Sequence, residues 1–181
     1  MNTFAMPEGR FWEIVAKTVQ FKDNAVRQTD TLEQVLGALP DDEITGFDAQ
    51  FVLQKRRAFR WDLWGADYVI HGGAAEDAFD YFRSWLIAQG KEVFEQTLTD
   101  PDSLADRIAP GRTEPLENEE FGQVARKLWH HQTGFRFGRM PSEQPPEEDD
   151  APDGEPFEDA DEYFAKSYPK LWARFGQKPL G

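Results

Sequence analysis

The sequence predicts an all-α protein: a compact multi-helix single domain, an acidic disordered linker and a short C-terminal helical element. Apolar residues recur at helical spacing through the first 135 residues, and no segment alternates long enough to predict a strand. From position 141 onwards, proline and acidic residues replace the apolar pattern. We therefore expect a helical domain over residues 8–135, a flexible acidic linker over 141–162, and an aromatic element over 163–177 that docks on the domain.

The first part of the domain carries three helical patterns. The first follows Pro7-Glu8-Gly9, and its apolar stripe consists of Phe11, Trp12, Ile14, Val15 and Val19. The second begins at Thr31, where Thr31 through Gln34 fit a capping box. Pro40 ends that helix and starts the third, whose first turn is acidic and so suits the helix dipole.

The central helices have clearer limits. One runs from about Phe59 to Ile70, where His71-Gly72-Gly73 ends it, and the next from Glu76 to Gln89, before Gly90. Residues 91–98 predict a short helix, and Asp100-Pro101 an N-cap with proline in the first turn. The last long amphipathic helix of the domain contains Phe121, Val124, Ala125, Leu128 and Trp129.

The acidity of the chain is concentrated in one segment. The formal net charge is −14, but residues 141–162 contain eleven acids and no Lys or Arg. The remaining chain has 23 acids against 20 bases, a net charge of −3. Because no basic stripe overcomes repulsion from a phosphate backbone, we expect no nucleic-acid binding.

The composition also limits the compartment and the chemistry. The absence of cysteine excludes disulfides, thiolate nucleophiles and Cys-ligated zinc, and it suits a reducing cytosol. The first residues lack the basic and apolar regions of a secretion signal. No apolar run approaches the roughly 18 residues of a membrane span. We expect a cytoplasmic protein that does not enter a membrane.

The central motifs resemble a known family. They are Phe11-Trp12, Trp61-Asp62-Leu63-Trp64-Gly65-Ala66, Tyr68-Val69-Ile70, Gly72-Gly73, Phe79-Asp80-Tyr81-Phe82-Arg83, Trp85-Leu86-Ile87, Gln89-Gly90 and Asp100-Pro101-Asp102-Ser103-Leu104. Together they resemble the bacterial domain of unknown function DUF4240 over roughly residues 8–135. The resemblance implies a compact helical cytosolic domain and brings no activity, cofactor or catalytic residue. Ala74-Ala75 stand where the family pattern has Cys-Ser, so this protein requires no nucleophile at that turn.

An aromatic stripe is the first candidate binding surface. On a helix, Trp61, Trp64 and Tyr68 share one face, and Arg57 could stack on Trp61 from one turn back. The alternative interpretation is a helix buried on most sides, which we favour because apolar residues surround it.

A group of charged residues is the second candidate. Glu76, Asp77, Asp80 and Arg83 could bind a cation, anchor an anion or exchange protons in a pocket beside Trp64, with His71 as a further member. The structural alternative is stronger, because acids suit the first turn of a helix and Asp80–Arg83 is an ordinary intrahelical pair. The candidate pocket therefore consists of Trp61, Trp64, His71, Glu76, Asp77, Asp80 and Arg83, and we assign no catalytic residue.

No metal or cofactor is expected. His130 and His131 are adjacent, so they point to different faces of a helix. A calcium loop beginning at Asp149 would place Ala151 and Ala160 at positions that require oxygen ligands.

The leading functional hypothesis is a non-enzymatic interaction or regulatory module that recognises an unidentified protein. Abundant Trp and Arg, an acidic tail and the lack of a catalytic constellation favour it. An immunity-like protein that inhibits a basic toxin is one form of this hypothesis. The alternative is a small-molecule-binding protein or enzyme that uses an acidic and arginine pocket at Glu76–Arg83.

Overall fold

A computed structural model describes residues 5–134, 140 and 151–181 of the chain. Helices and turns, without a strand, make up these ranges, so the predicted all-α class is confirmed. The α-helices are α1 (Glu8–Ala16), α2 (Ala25–Gly37), α3 (Asp41–Arg57), α4 (Trp61–His71), α5 (Glu76–Ala88), α6 (Lys91–Thr99), α7 (Glu119–Thr133), α8 (Asp161–Ser167) and α9 (Pro169–Phe175). Two 3₁₀ segments cover Val19–Phe21 and Pro101–Asp106.

Capping residues explain where several helices begin and end. The Asn24 and Asn118 side chains accept hydrogen bonds from Arg27 N–H (3.0 Å) and Phe121 N–H (3.1 Å), at the starts of α2 and α7. Gly72 ends α4 with a φ of +68°, a left-handed conformation that favours glycine. The predicted break at His71-Gly72-Gly73 is therefore confirmed.

The predicted start of the second helix at Thr31 is wrong. Helix α2 begins six residues earlier, at Ala25, and Thr31 lies inside it. The Thr31 hydroxyl donates a 2.7 Å hydrogen bond to Arg27 O within the helix rather than capping a helix end. The true N-cap is Asn24, which precedes a turn with little apolar periodicity.

The core surrounds α7, which packs against α2, α3 and α5. The largest fully buried side chains are aromatic, and they are Phe11, Phe47, Phe79, Phe82, Phe94 and Phe121. Burial of one such ring contributes about 2–3 kcal/mol to stability. These rings come from α1, α3, α5, α6 and α7, so the core joins helices that are distant in sequence.

The C-terminal helices pack against α4 and the 3₁₀ segment Pro101–Asp106. The Asp102 carboxylate accepts hydrogen bonds from the backbone N–H groups of Lys170 (3.1 Å) and Leu171 (2.9 Å), at the start of α9. Near the end of the chain, Leu180 N–H donates to Ile70 O at 2.8 Å. Phe164, Tyr168, Leu171 and Phe175 are buried in this contact.

The predicted linker over 141–162 lies only partly within the described residues. Its residues 141–150 lie outside them, and α8 begins at Asp161. Between these limits, Asp153 N–H donates to Phe59 O at 2.8 Å, and Trp61 N–H donates to Asp153 O at 3.0 Å. The division into domain, linker and docking element stays a prediction.

Helices long and apolar enough to cross a membrane are absent from the described residues.

Gly65 on α4 allows Tyr168 to approach the helix backbone. A Cβ at position 65 would overlap the Tyr168 hydroxyl, which donates a 2.7 Å hydrogen bond to Asp62 O. We expect Gly65→Ala to lower the free energy of unfolding by about 1–3 kcal/mol, measured by urea denaturation.

Gly9→Ala is the matched control, because a Cβ there meets nothing within 4 Å. This change should stabilise the protein by up to about 1 kcal/mol through helix propensity. In a Tyr168→Phe background, Gly65→Ala should cost less, since the hydroxyl is the nearest obstacle. An equal cost in both backgrounds would refute this account of the contact.

Candidate functional site

The predicted aromatic stripe exists and continues into a stack of rings. The Trp61 and Trp64 rings are 5.2 Å apart between centroids and nearly parallel, at 7°. Trp64 also stacks on Phe79 of α5 at 5.0 Å and 9°. The Trp64 indole N–H donates to Ala74 O at 3.0 Å, which fixes the ring against the turn after α4. The stack therefore joins α4 to α5.

Two rings from the C-terminal part of the chain, Phe157 and Phe164, pack on Trp61 and Tyr68 of this aromatic stripe. The Phe157 ring lies 6.0 Å from Trp61 and 5.3 Å from Tyr68, and Phe164 stacks on Tyr68 at 5.5 Å. The Tyr68 hydroxyl donates to the Asp159 carboxylate at 3.1 Å. Trp61 and Tyr68 are left half-buried, with rings of the same chain as their neighbours.

Arg57 has a different ring partner from the one the sequence indicated. Its guanidinium lies 5.5 Å from the Phe94 ring centroid and makes two 2.8 Å hydrogen bonds with Glu95. The hydrogen bond to Glu95 raises the pKa of Arg57. The suggested stacking of Arg57 on Trp61 is replaced by this contact with α6.

Arg83 is a buried cation inside the core. Its guanidinium carbon lies 4.6 Å from the Phe59 ring centroid and 5.0 Å from that of Phe79, so it sits between two rings. Arg83 donates hydrogen bonds to Lys55 O (3.1 Å) and to Asp80 (2.8 Å). It therefore joins α5 to the end of α3.

The Asp80 carboxylate forms ion pairs with two cations rather than one. Its Oδ1 lies 2.5 Å from the Lys55 Nζ as well as 2.8 Å from Arg83. Burial lowers the pKa of Lys55, and the attraction of Asp80 opposes this effect. Glu76 and Asp77 are exposed in the first turn of α5, where negative charge suits the helix dipole.

His71 is held through both ring nitrogens. Nδ1 lies 2.7 Å from the Asp67 carboxylate, and Nε2 accepts a 2.9 Å hydrogen bond from Leu116 N–H. Because Nε2 is an acceptor, the ring proton lies on Nδ1 and is donated to Asp67. The pair resembles a catalytic dyad, but the nitrogen that would act as a base is occupied by the backbone. His71 ties the end of α4 to the loop before α7.

Asp67 is the most strongly perturbed acid near this position. It is fully buried, and its Oδ2 has no hydrogen-bond partner in the described part of the chain. Burial raises the pKa of Asp67 to about 6, while the hydrogen bond from His71 lowers it.

The candidate residues are distributed over four environments. Trp61 and Trp64 belong to the ring stack, and His71 contacts Leu116. Arg83 lies in the core with Asp80 as its ion-pair partner, while Glu76 and Asp77 face solvent. The two clefts described below are lined by other residues. A binding pocket formed by these seven residues stays a prediction.

A groove lies where α2, α5 and the start of α7 meet. It encloses about 560 Å³, and we call it the α2–α7 groove. Its lining residues are Ala25, Val26, Thr29, Asp30, Glu33, Tyr81, Glu117, Asn118, Glu119, Glu120, Val124 and Lys127.

The groove is strongly acidic. Lys127 pairs with Glu120, but the other four carboxylates have no basic partner among the described residues; these are Asp30, Glu33, Glu117 and Glu119. Repulsion by the nearby carboxylates, chiefly that of Glu119, raises the pKa of Tyr81. Val26 adds apolar surface, since it is 71% exposed. Negative charge and apolar area therefore occupy the same concave surface.

Two buried polar atoms belong to residues of the same groove. Asn118 is only 6% exposed; its Oδ1 caps α7, whereas its Nδ2 has no partner in the described ranges. The Thr29 Oγ1 on α2 is also buried and unpartnered within those residues. A buried donor without an acceptor costs about 1–3 kcal/mol.

In a second cleft, most of the charged side chains are paired. It encloses about 870 Å³ beside Arg57 and Arg60. Arg57 pairs with Glu95, and Arg60 pairs with Asp62. This cleft offers an approaching ligand less unpaired charge than the α2–α7 groove.

The sequence interpretation missed the α2–α7 groove. Val26, Asp30 and Glu33 are spaced i, i+4 and i+7, so they share a helix face. This signal depends on a helix that is capped by Asn24 rather than one that starts at Thr31. The other wall comes from the start of α7, about ninety residues later in the chain.

Acidic residues in the described ranges do not cluster for metal binding. No group of three or more His, Cys, Asp or Glu side chains there has the arrangement of a metal site.

The pH dependence of stability tests the buried Asp67. Its folded-state pKa of about 6 lies above the ordinary 3.8, so the folded protein holds this proton more tightly than the unfolded chain does. This carboxyl therefore lowers the free energy of unfolding as pH rises from about 4 to about 6. In Asp67→Asn, which retains an acceptor for His71, that decrease should be absent. The stability difference, variant minus wild type, should rise by roughly 2–3 kcal/mol across the window.

Asp67→Ala serves as the control, measured by denaturant unfolding at the same pH values. It should show the same loss of pH dependence, with stability lower by about 1–3 kcal/mol than in Asp67→Asn, because His71 loses its acceptor. Parallel curves for wild type and Asp67→Asn would contradict the assigned burial effect.

Removal of the Asp80 charge should weaken the fold. Asp80→Asn leaves Lys55 and Arg83 without their carboxylate, while the exposed Asp77→Asn serves as the control. We expect Asp80→Asn to lower the free energy of unfolding by about 1–3 kcal/mol, because two cations lose their carboxylate. The loss is not larger, because the Asp80 side chain is itself 42% exposed. Asp77→Asn should change it by less than about 0.5 kcal/mol. Equal effects in thermal or urea unfolding would show that Asp80 has no structural role.

Comparison with known proteins identifies the family of the domain. Neither a curated protein nor a solved structure shows significant similarity to the chain. A family model described as a protein of unknown function, DUF4240, matches residues 6–131. This match covers α1 to most of α7, including the α4–α5 ring stack and both walls of the α2–α7 groove. The chain belongs to the DUF4240 family.

Proposed function

We propose that this protein is a cytoplasmic, non-enzymatic interaction module that recognises another protein through the α2–α7 groove. The observation that carries the proposal is the set of four unpaired carboxylates in one concave surface beside exposed apolar area. Complementary charge steers association and fixes orientation, and apolar contact adds affinity. A basic partner suits this groove, and an immunity-like inhibitor of a basic toxin is one form of the proposed function.

The helix dipole accounts for only some of these acids. Glu119 and Glu120 occupy the first turn of α7, where negative charge stabilises the helix. Asp30 and Glu33, in contrast, lie beyond the first turn of α2, and Glu117 precedes the N-cap of α7. At least three acids are therefore present without a local structural reason.

The alternative function, an enzyme or small-molecule-binding protein that uses Glu76–Arg83, receives less support. Asp80 and Arg83 are engaged in ion pairing and core packing, and His71 uses both ring nitrogens in structural hydrogen bonds. A substrate could bind at these residues only if contacts that hold the fold together were broken.

Neutralisation of the groove tests the proposal. The groove variant combines Asp30→Asn, Glu33→Gln and Glu117→Gln. The matched control removes the same charge from exposed acids elsewhere, through Asp23→Asn, Glu158→Gln and Glu162→Gln. Both variants should retain the thermal stability of the wild type within about 3 °C, since exposed substitutions have small effects.

Affinity capture from native lysate, followed by mass spectrometry, gives the readout. We expect the wild type and the control to recover the same stoichiometric basic protein, and the groove variant to lose it by tenfold or more. Recovery should also fall when salt increases from 50 to 300 mM, because the contact is electrostatic. Equal recovery by the groove variant and the control would reject the groove as the binding surface.

A further inference from the structure

We infer that the α2–α7 groove binds a peptide segment that carries arginine or lysine, held by its backbone carbonyls as well as by its charge. This inference rests on the proposed function and specifies the chemistry of the partner. Three features of the groove carry it: unpaired carboxylates, an exposed apolar side chain, and polar side-chain atoms without partners.

The unpaired carboxylates favour a cationic ligand. Asp30 and Glu33 project from α2, and Glu117 and Glu119 stand beside Asn118 on the facing wall. A cationic side chain between the walls would lie near acids of both, since all four line the same groove. An arginine guanidinium can pair with a carboxylate through two parallel hydrogen bonds, and a lysine ammonium can pair as a point charge.

The apolar surface requires more than a bare cation. Val26 is 71% exposed, and Val124 and Tyr81 also line the groove. Arginine and lysine carry aliphatic stems that pack on apolar surface while the charged group stays among polar partners. A compact inorganic cation would leave this surface uncovered.

The unpartnered Asn118 amide requires an acceptor. Asn118 is 6% exposed, and its Oδ1 is already engaged by Phe121 N–H, so only Nδ2 is free to donate within the described structure. A cation offers no acceptor, whereas a peptide carbonyl does. The Thr29 hydroxyl on the other wall can donate to a second carbonyl or accept from a peptide N–H.

The size of the groove agrees with a short segment. A volume of about 560 Å³ lies within the range of small-ligand sites, of about 300–1,000 Å³. Nucleic acid is excluded by its negative charge. A basic peptide therefore satisfies the charge, the apolar area and the orphaned donor together.

Three probes separate the contributions of charge and backbone. The first is tetra-arginine with an acetylated N-terminus and an amidated C-terminus. The second replaces each arginine by citrulline, which removes the charge and keeps the carbonyls. The third is spermine, which keeps multiple positive charges and has no carbonyl. Binding is followed by isothermal titration calorimetry and by NMR of the Asn118 side-chain amide, with the full chain.

Two variants test the assigned residues. Asn118→Ser retains a good N-cap for α7 but removes the Nδ2 donor. Asn24→Ser is the matched control, because it makes the same change at the N-cap of α2, whose side chain does not line the groove. We expect Asn118→Ser to weaken tetra-arginine binding about three- to tenfold, with Asn24→Ser within twofold of the wild type.

The expected pattern is binding of tetra-arginine, at least tenfold weaker binding of the citrulline peptide, and spermine affinity that is unaffected by Asn118→Ser. The Asn118 amide resonances should shift when either peptide is bound, and should not shift with spermine. Spermine binding as tight as tetra-arginine binding, with no effect of Asn118→Ser, would overturn the inference in favour of free cations. Failure of tetra-arginine to bind would also overturn it.

The outcomes remain distinguishable from those of the proposed function. If lysate capture depends on the groove acids but tetra-arginine does not bind, the interaction surface stands and the assignment of a basic peptide fails. If tetra-arginine binds in the groove but capture is equal in the groove variant and its control, the peptide site stands and the proposed function fails.

Discussion

The packing of α7 against α2, α3 and α5 is the contact on which most of the structure depends. Gly122 allows this close approach, since a Cβ there would lie 3.0 Å from the Ser84 hydroxyl and 3.4 Å from the Phe51 ring. On the same helix, Phe121 enters the core 6.3 Å from Phe51, and Arg126 lies 3.3 Å from the buried Asp48. A helix from the end of the domain thus closes a core formed by much earlier helices. The same packing brings Asn118 and Glu119 opposite α2, so the core and the groove have a common origin.

The elements with strong stop signals could be predicted from the sequence. Pro40 fixes its own φ and lacks a backbone donor, and Gly72 permits the left-handed conformation that ends a helix, so the ends of α2 and α4 are recognisable from the sequence. The start of α2 was not, because its first turns are polar and its burial is mixed. Gln28, for example, is buried and donates a 2.7 Å hydrogen bond to Ala88 O, sixty residues away. The Asn24 cap explains why that turn is helical, but only the tertiary partner explains why Gln28 is buried.

The chemistry of the candidate residues was harder to predict than their secondary structure. The sequence shows an acid or a histidine but not which groups occupy its polar atoms. Leu116 N–H reaches His71 across 45 positions, and Lys55 reaches Asp80 across 25. Because of these contacts, residue types that often act in catalysis serve here to hold helices and loops together. The groove acids are the opposite case, because the sequence alone assigns them no role and only the fold brings them together.

The aromatic face of α4 and the segment that covers it differ in their time of synthesis. Trp61 and Tyr68 leave the ribosome roughly ninety to a hundred residues before Phe157, Phe164 and Tyr168, which lie beyond the family match. At about 5–20 residues per second, this interval lasts on the order of 5–20 s. For that time the nascent domain presents a row of uncovered rings, the kind of surface that chaperones bind and that promotes aggregation. The aromatic face of α4 is therefore covered only after Phe157 and Phe164 have been synthesised.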